Sequence, residues 1–355
     1  MDLIRPFQRE DIPGVLELFR AAFLNNGNHA PAGLDSYFDR AIFQNPWYDE
    51  ELPSYVHAKG DGSIDGFVGV QPKRLSLRGR RLRVAVATKL MVSRAAGPLV
   101  AARLLGRVFA GPQDLLLSDI SNAAGRRIWE GLGGVTVLLY SLQWQRPLRP
   151  ARHALAWLRA RGVPGVITRA LHPLGSVADS VLTRWSAASV GSALAGYSVE
   201  GLPLDVMATR LPDLLGNRVL QPEYEEPWLR WILELAQRNE PHRVLRRRLV
   251  RDSRQDPAGW FLYFLESQGQ AEVVQLVARK NATAAVFQAL LADASNAGAA
   301  MVSGRLEPGM VTEMSARHCF FREAGLWTLV HTKQAEILDA ILAGNAFLSR
   351  LEGEW

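Results

Sequence analysis

Val84-Ala85-Val86-Ala87-Thr88-Lys89-Leu90-Met91-Val92, then Ser93-Arg94-Ala95-Ala96-Gly97-Pro98-Leu99, then Asp114-Leu115-Leu116-Leu117-Ser118-Asp119, Asn122 and Gly133-Gly134: this stretch decides the fold. The first run predicts a strand. It breaks at a glycine-containing loop, and a chain that then restarts as a helix leaves backbone N–H groups unpaired at the helix start. Those donors, together with the positive end of the helix dipole, suit a pyrophosphate. Pro98 belongs at or near the first helical position, where its missing N–H costs nothing. Leu99, Ala102, Leu104, Leu105 and Val108 then give the helix an apolar face. Asp114 to Asp119 reads as a buried strand, and Asn122 to Leu132 as a second helix that Asn122 can cap.

This order resembles the acyl-coenzyme A half of the GNAT superfamily of N-acetyltransferases. In that family the loop is Gln/Arg-x-x-Gly-x-Gly/Ala; Arg94 and Gly97 fall on the first two fixed positions, and Leu99 departs at the third. The resemblance implies acetyl-CoA, or another acyl-CoA, as co-substrate and no metal. Its expected contacts are Leu90, Met91 and Val92, the loop residues Arg94, Ala95, Ala96, Gly97, Pro98 and Leu99, then Asn122 and Trp129. A backbone N–H from Leu90 to Val92 would polarise the thioester carbonyl. Trp129 stands where many members carry the Tyr that protonates the leaving thiolate, and Gly134 where Phe is usual. An indole N–H is a donor only, not an acid.

For proton transfer the expected residues are Asp119 as base, at the end of its strand, and Tyr140 as acid, on a strand after Gly134. His57, on a strand, is a further base candidate. Asn45, Trp47 and Tyr48 lie in the early region that shapes the acceptor pocket in this family. Each has a structural alternative: Asn122 as a plain helix cap, Asp119 as the cap of its own turn, Asn45, Trp47 and Tyr48 as loop packing, His57 as a core histidine.

Working outward, Leu3 to Phe7 predicts a first strand, and Asp11 with Pro13 opens a helix carrying Val15, Leu16, Leu18, Phe19, Ala22 and Phe23. Ser54 to Ala58, Gly66 to Val70 and Lys73 to Leu77 predict strands, with a hairpin turn at Leu77-Arg78-Gly79-Arg80-Arg81. The arginines around that turn are solubilising or steer an anionic donor. The first domain is expected to end at Tyr140 to Gln145.

The later chain repeats the plan in degraded form. Trp260 to Leu265 and Glu272 to Ala278 predict strands, Asn281 to Ala294 a helix and Ala300 to Ser303 a strand, while Phe320 to Leu326 resembles the Ile128 to Gly134 helix ending. Here the helix starts at Arg279-Lys280-Asn281-Ala282-Thr283 without a glycine loop, so this copy is expected not to bind coenzyme A.

The chain has 355 residues, 48% of them hydrophobic, which suits about two domains with real cores. Charged residues make up 21%, the formal charge is +6 and the pI is near 9.7. No acidic residue occurs from Gly131 to Ala178, a window holding Arg146, Arg149, Arg152, Arg159, Arg161 and Arg169 with Trp144 and Trp157. That basic stretch is either a solvated connector or a contact for an anionic membrane surface through residues 146–172. Nucleic acid is disfavoured as a partner, because no binding signature accompanies the charge. Cys319 is the sole cysteine, which excludes an internal disulfide and fits a reduced, cytoplasmic compartment. No run of 18 apolar residues exists, and the N-terminus lacks a signal-peptide core. Zinc-ligand spacings, phosphate loops of the Gly-Lys-Ser/Thr type and Gly-x-Ser-x-Gly elbows are missing, so hydrolase and kinase readings have no support.

The expected architecture is α/β (α+β): two GNAT-like acyltransferase folds, each a mixed, mainly antiparallel sheet flanked by helices. Residues 1–145 form the domain with the acyl-CoA site, 146–195 a basic helical connector, and 196–355 a degenerate second copy. The expected activity is N-acyl transfer to the primary amine of a small molecule, such as an amino sugar or cell-envelope precursor. The alternatives are a non-catalytic binding scaffold, motivated by Leu99, Trp129 and Gly134, and a Fem-like transferase that takes its acyl group from aminoacyl-tRNA.

Overall fold

The structure is a computed structural model and describes residues 3–24, 33–149 and 194–355. It contains two compact units, each a mixed sheet with flanking helices. The first gathers Met1–Ser141, Asn217–Pro241 and Glu323–Trp355; the second gathers Leu142–Gly216 and His242–Arg322.

Among the described residues the first unit has an eight-stranded sheet. Its strands are β1 (Leu3–Pro6), β2 (Tyr55–Ala58), β3 (Ile64–Leu77), β4 (Arg80–Val92), β5 (Leu115–Ser121), β6 (Val135–Thr136), β9 (Leu220–Pro222) and β15 (Trp327–His331). They run in the order β1-β2-β3-β4-β5-β15-β6, with β9 on β3. Only β4 and β5 pair in parallel, through Val84–Val86 and Leu115–Leu117. The β3–β4 hairpin turns on Arg78 and Gly79, both at positive φ (50° and 83°), as a two-residue turn with the twist of its strands demands. β3 is one strand where two were expected. Pro72 is tolerated inside it because β2 pairs β3 only as far as Val68 and β9 begins at Leu75, so no neighbour needs the missing N–H.

The helices of this unit are α1 (Ile12–Phe19), α2 (Gly97–Phe109), α3 (Ala123–Gly131), the short α4 (Leu138–Ser141), α6 (Glu226–Asn239) and α9 (Ala335–Leu342). Val100, Ala101, Leu104, Leu105, Val108 and Phe109 form the buried face of α2. Leu99, expected on that face, is 70% exposed. It stands in the first turn, ahead of the stripe that meets Val68, Ala85 and Ala87. Tyr140 lies on α4, not on a strand.

In the second unit the strands are β7 (Leu142–Pro147), β8 (Ser198–Gly201), β10 (Arg243–Arg251), β11 (Pro257–Glu266), β12 (Gln270–Ala278), β13 (Met301–Arg305) and β14 (Phe320–Glu323). Their order is β14-β7-β13-β12-β11-β10-β8, and β12 and β13 pair in parallel. Its helices are α5 (Leu204–Leu215), α7 (Thr283–Asn296) and α8 (Val311–Ala316).

The division expected at 145 and 195 does not follow these units, because the two halves exchange strands. The antiparallel neighbour of β5 is β15, late in the chain, whereas β7 pairs with β13. Phe320 to Glu323 is a strand rather than a helix ending, since the helix before it stops at Ala316. Most of the expected connector and of the 146–172 basic stretch lies outside the described residues. Among the described residues, no helix is long and apolar enough to cross a membrane.

Candidate active site

Beyond Val86 and Leu117 the parallel pair β4 and β5 is no longer bonded. β3 and β4 also fall out of register there: Gly69 faces Thr88 and Phe67 faces Met91, so Lys89 and Leu90 oppose the single residue Val68. A bulge of this kind turns the strand and frees backbone polar groups. Lys89 adopts φ 50°, a left-handed conformation that is rare for a side-chain-bearing residue within a strand.

A cavity of about 500 Å³ opens at this point. Thr88, Lys89, Leu90 and Val92 of β4, Ser118, Ile120 and Ser121 at the end of β5, Ala101 and Leu105 of α2, and Gly125, Ile128 and Trp129 of α3 line it, with Phe19 and Glu354. Its walls are mostly apolar; the start of α3 lines it, whereas Met91 and the loop Arg94 to Leu99, expected as contacts, are not part of the lining.

At the start of α2 the chain turns through Ser93 to Ala96. Ser93 receives the N–H of Ala96 on its carbonyl and its Oγ, each at 3.2 Å. Gly97 has φ +69°, and a Cβ there would meet nothing within 4 Å. Glycine is therefore required by the backbone turn, and open space lies before the helix. No acidic residue occurs in the first turn, Pro98 sits there as expected, and Arg94 is exposed beside it. Asn122 does cap α3, its Oδ1 accepting the N–H of Gly125 at 2.9 Å, and it also lines the cavity.

The other expected residues are placed differently. Trp129 lines the cavity with its ring, but its N–H donates to the carbonyl of Val330 at 3.1 Å and its ring meets Phe109 edge-on. Tyr140 is fully buried in the core, its hydroxyl donating to the carbonyl of Ala346 at 2.7 Å, and it does not line the cavity. His57 is buried against Asp65, Nδ1 to Oδ1 2.5 Å, also away from the lining. Asn45 bonds the Pro72 carbonyl and the Trp47 N–H. Trp47 stacks on Trp228 at 4.5 Å and donates to Glu225, and Tyr48 is exposed beside Phe43. These three pack the loop and do not reach the cavity. The arginines of the β3–β4 hairpin are ion-paired, Arg74 to Glu225, Arg80 to Glu336, Arg81 to Glu223 and Arg83 to Glu51. Arg78 and Gly79 close that hairpin at the end opposite Val92, so its charge is remote from the loop at Arg94.

Asp119 is buried on β5 and does not itself line the cavity. It holds the segment 349–355. Its Oδ2 accepts from Arg350 at 3.1 Å and its Oδ1 from the backbone N–H of Glu354 at 2.9 Å. A Cβ on Gly353 would lie 1.8 Å from Oδ2, so only glycine passes so close. The segment opens with a reciprocal cap between Ser349 and Glu352, and Trp355 lies under the Arg350 guanidinium at 4.3 Å. It delivers the Glu354 carboxylate to Thr88 Oγ1 (2.9 Å) and to within 4.0 Å of Lys89 Nζ. Burial, helped by Asp119, raises the Glu354 carboxyl above the ordinary value, while Lys89 pulls the other way. This residue was missed in the sequence. The signal was present as Ser-x-x-Glu at 349–352, a capping pattern, followed by Gly353-Glu354.

No protein-family model and no curated protein matches the sequence. Solved structures do match the fold. A GCN5-related N-acetyltransferase from Anabaena variabilis superposes with TM-score 0.61 at 10% identity, over 96% of this chain and 75% of that one. One from Kribbella flavida gives 0.57 at 15%, over 93% and 70%. The N-myristoyltransferase of Saccharomyces cerevisiae, solved with bound myristoyl-CoA, gives 0.51 at 10%, over 93% and 77%. The chain carries the GNAT-superfamily fold. At such identities the likeness speaks for architecture alone.

Proposed function

We propose that the first unit is an acyl-CoA-dependent N-acyltransferase that acylates the primary amine of a small molecule. The observation that carries this reading is the cavity at the β4–β5 split, lined by the body of α2 and the start of α3. An acyl-CoA suits it part by part. The pyrophosphate meets the N–H groups and dipole at the start of α2, where Gly97 leaves room. The pantetheine arm follows the apolar walls between α2 and α3. The thioester then reaches the bulge at Lys89 and Leu90, where the strand register breaks and a backbone N–H of β4 polarises the carbonyl. Leu99 does not obstruct this path, because its side chain points to solvent.

Calorimetric titration with acetyl-CoA tests the reading, alongside Gly97→Glu, which puts a carboxylate and a disfavoured φ where the phosphates belong. Binding that the substitution abolishes supports it. A native protein that binds no acyl-CoA, acetyl or longer, overturns it in favour of a scaffold or an aminoacyl-tRNA-dependent enzyme.

A further inference from the structure

Of the described residues that line the cavity, Glu354 is the one carboxylate and Lys89 the one cation. The placement of Glu354 is over-determined. Asp119 fixes its backbone, Gly353 allows the close approach, Arg350 spans from Asp119 to the Glu354 carbonyl at 2.5 Å, and Thr88 orients the carboxylate. Thr88 is the last residue of β4 before its bulge and Lys89 the first within it, so the carboxylate lies beside the position assigned to the thioester. Its Oε2 is 3.4 Å from the Lys89 backbone nitrogen. Segments bonded this densely resist rearrangement, as a general base must.

We propose that Glu354 is the catalytic base of the transfer and that Asp119 is its positioning residue. The proposal rests on the acyl-CoA reading above. The acceptor enters as an ammonium ion, R–NH3+, and the Glu354 carboxylate takes one proton to free the nitrogen lone pair. The nitrogen bonds to the thioester carbon, the C–S bond breaks, and the electron pair leaves on sulfur. The second proton lost by nitrogen passes to the thiolate, giving the amide and free coenzyme A, and Glu354 returns its own proton to solvent. The groups that face Glu354 are Lys89, Asp119, Arg350, the Tyr37 phenol and the Thr88 hydroxyl.

The test compares Glu354→Gln with the unaltered protein, using acetyl-CoA and two kinds of nucleophile: a panel of simple alkylamines, protonated at pH 7, and hydroxylamine, already neutral there. The variant is expected to bind acetyl-CoA as before and to lose about 10²–10⁴-fold in kcat/KM with alkylamines. It should keep its rate with hydroxylamine and lose the acidic limb of the pH–rate profile. Glu354→Asp, which keeps a carboxylate, should retain that limb. Equal losses with both nucleophiles would make Glu354 a structural strut and overturn the proposal. So would native kinetics in the variant, or a native protein that binds acetyl-CoA yet acylates no alkylamine at any pH. Absence of acetyl-CoA binding by the native protein would instead sink the acyl-CoA reading itself.

Discussion

The two units are built on one plan, a parallel strand pair that parts beside a helix start; the first surrounds its split with a cavity and buried charge, while among the described residues the second sets large aromatic side chains beside its own. The difference lies in a few side chains. Four residues into α2 stands Ala101, on the cavity wall; four residues into α7 stands Phe287, fully buried. Opposite Ser118 on β5 the neighbouring strand places Leu329, whereas opposite Gly304 on β13 it places Trp144. The Trp144 indole lies over Gly304, where a Cβ would come within 3.3 Å, and meets Phe287 edge-on at 5.3 Å. The helix starts differ likewise. Gly97 at positive φ opens α2, while the loop before α7 is tied by Arg279 to Asp252 at 2.8 Å and to Asn281 at 3.0 Å. Both sheets keep a bulge at the corresponding hairpin, after Leu262 in the second unit. The strand geometry is shared, and filling or emptying the split decides which copy can take a ligand.

The largest effect should come from emptying the filled split. Phe287→Ala removes a fully buried ring from against Trp144 and should destabilise the protein by about 3–5 kcal/mol, read as a lowered midpoint in denaturant. Made in a Gly97→Glu background, it should confer no acetyl-CoA binding, because the Arg279 loop still lacks a glycine turn. Binding gained there would break the comparison and make side-chain bulk alone the distinction.

The reciprocal change fills the open split. Ala101→Phe gives α2 the residue of α7 and should weaken acetyl-CoA binding at least about 100-fold, close to 2.8 kcal/mol, with little loss in melting temperature. Unchanged affinity by calorimetry would place the ligand elsewhere.

Charge divides the units in the same sense. Among the described residues, the buried polar side chains of the second unit are Gln275 and Gln288, both neutral, while the first buries Lys73, Asp119, Glu352 and Glu354 among others. Such concentrations mark functional sites more often than cores. Lys73 makes no hydrogen bond and lies over the Trp228 ring at 5.0 Å; burial lowers its pKa to about 7, opposed by Glu352. Its folded pKa is thus below the unfolded 10.5. Its contribution is fully present above pH 10.5, is lost as the pH falls towards 7 and is level below that. Lys73→Met should therefore flatten the pH dependence of the melting temperature between pH 7 and 10. Parallel curves for the two proteins would show that Lys73 keeps its ordinary pKa.

Local features were legible in the sequence, because spacing and capping carry them. The strand into Gly97 and Pro98, the Asn122 cap and the missing glycine loop before α7 all appear where local rules place them. Non-local features were not. Nothing near residue 142 says that β7 pairs with β13, or that β5 takes a partner some 200 residues later. Asp119 meets Glu354 only through that tertiary arrangement, so its strand end looked like the business end of the site. Tyr140 failed as an acid for a similar reason. Its hydroxyl is satisfied by the Ala346 carbonyl, a contact with no trace in either local stretch.

The smallest effect separates two roles of a residue that the sequence left open. Asn122 caps α3 through the Gly125 N–H and also lines the cavity, so capping and ligand contact are both geometrically available. Asn122→Ala loses the cap, which should cost about 1 kcal/mol of stability. Asn122→Asp keeps a capping oxygen and adds a negative charge at the helix start, which favours the helix but opposes an anionic ligand. If Asn122 contacts the coenzyme, the Asp variant should be as stable as the native protein yet bind acetyl-CoA several-fold more weakly at low salt, with the gap closing as salt rises. If it is only a cap, the Asp variant should match the native protein in both readouts. The α7 start offers the internal control: its preceding residue is Ala282, with no side-chain cap. A helix beside a split strand pair therefore does not need one to form, and in the first unit the amide at position 122 can be spared for a ligand.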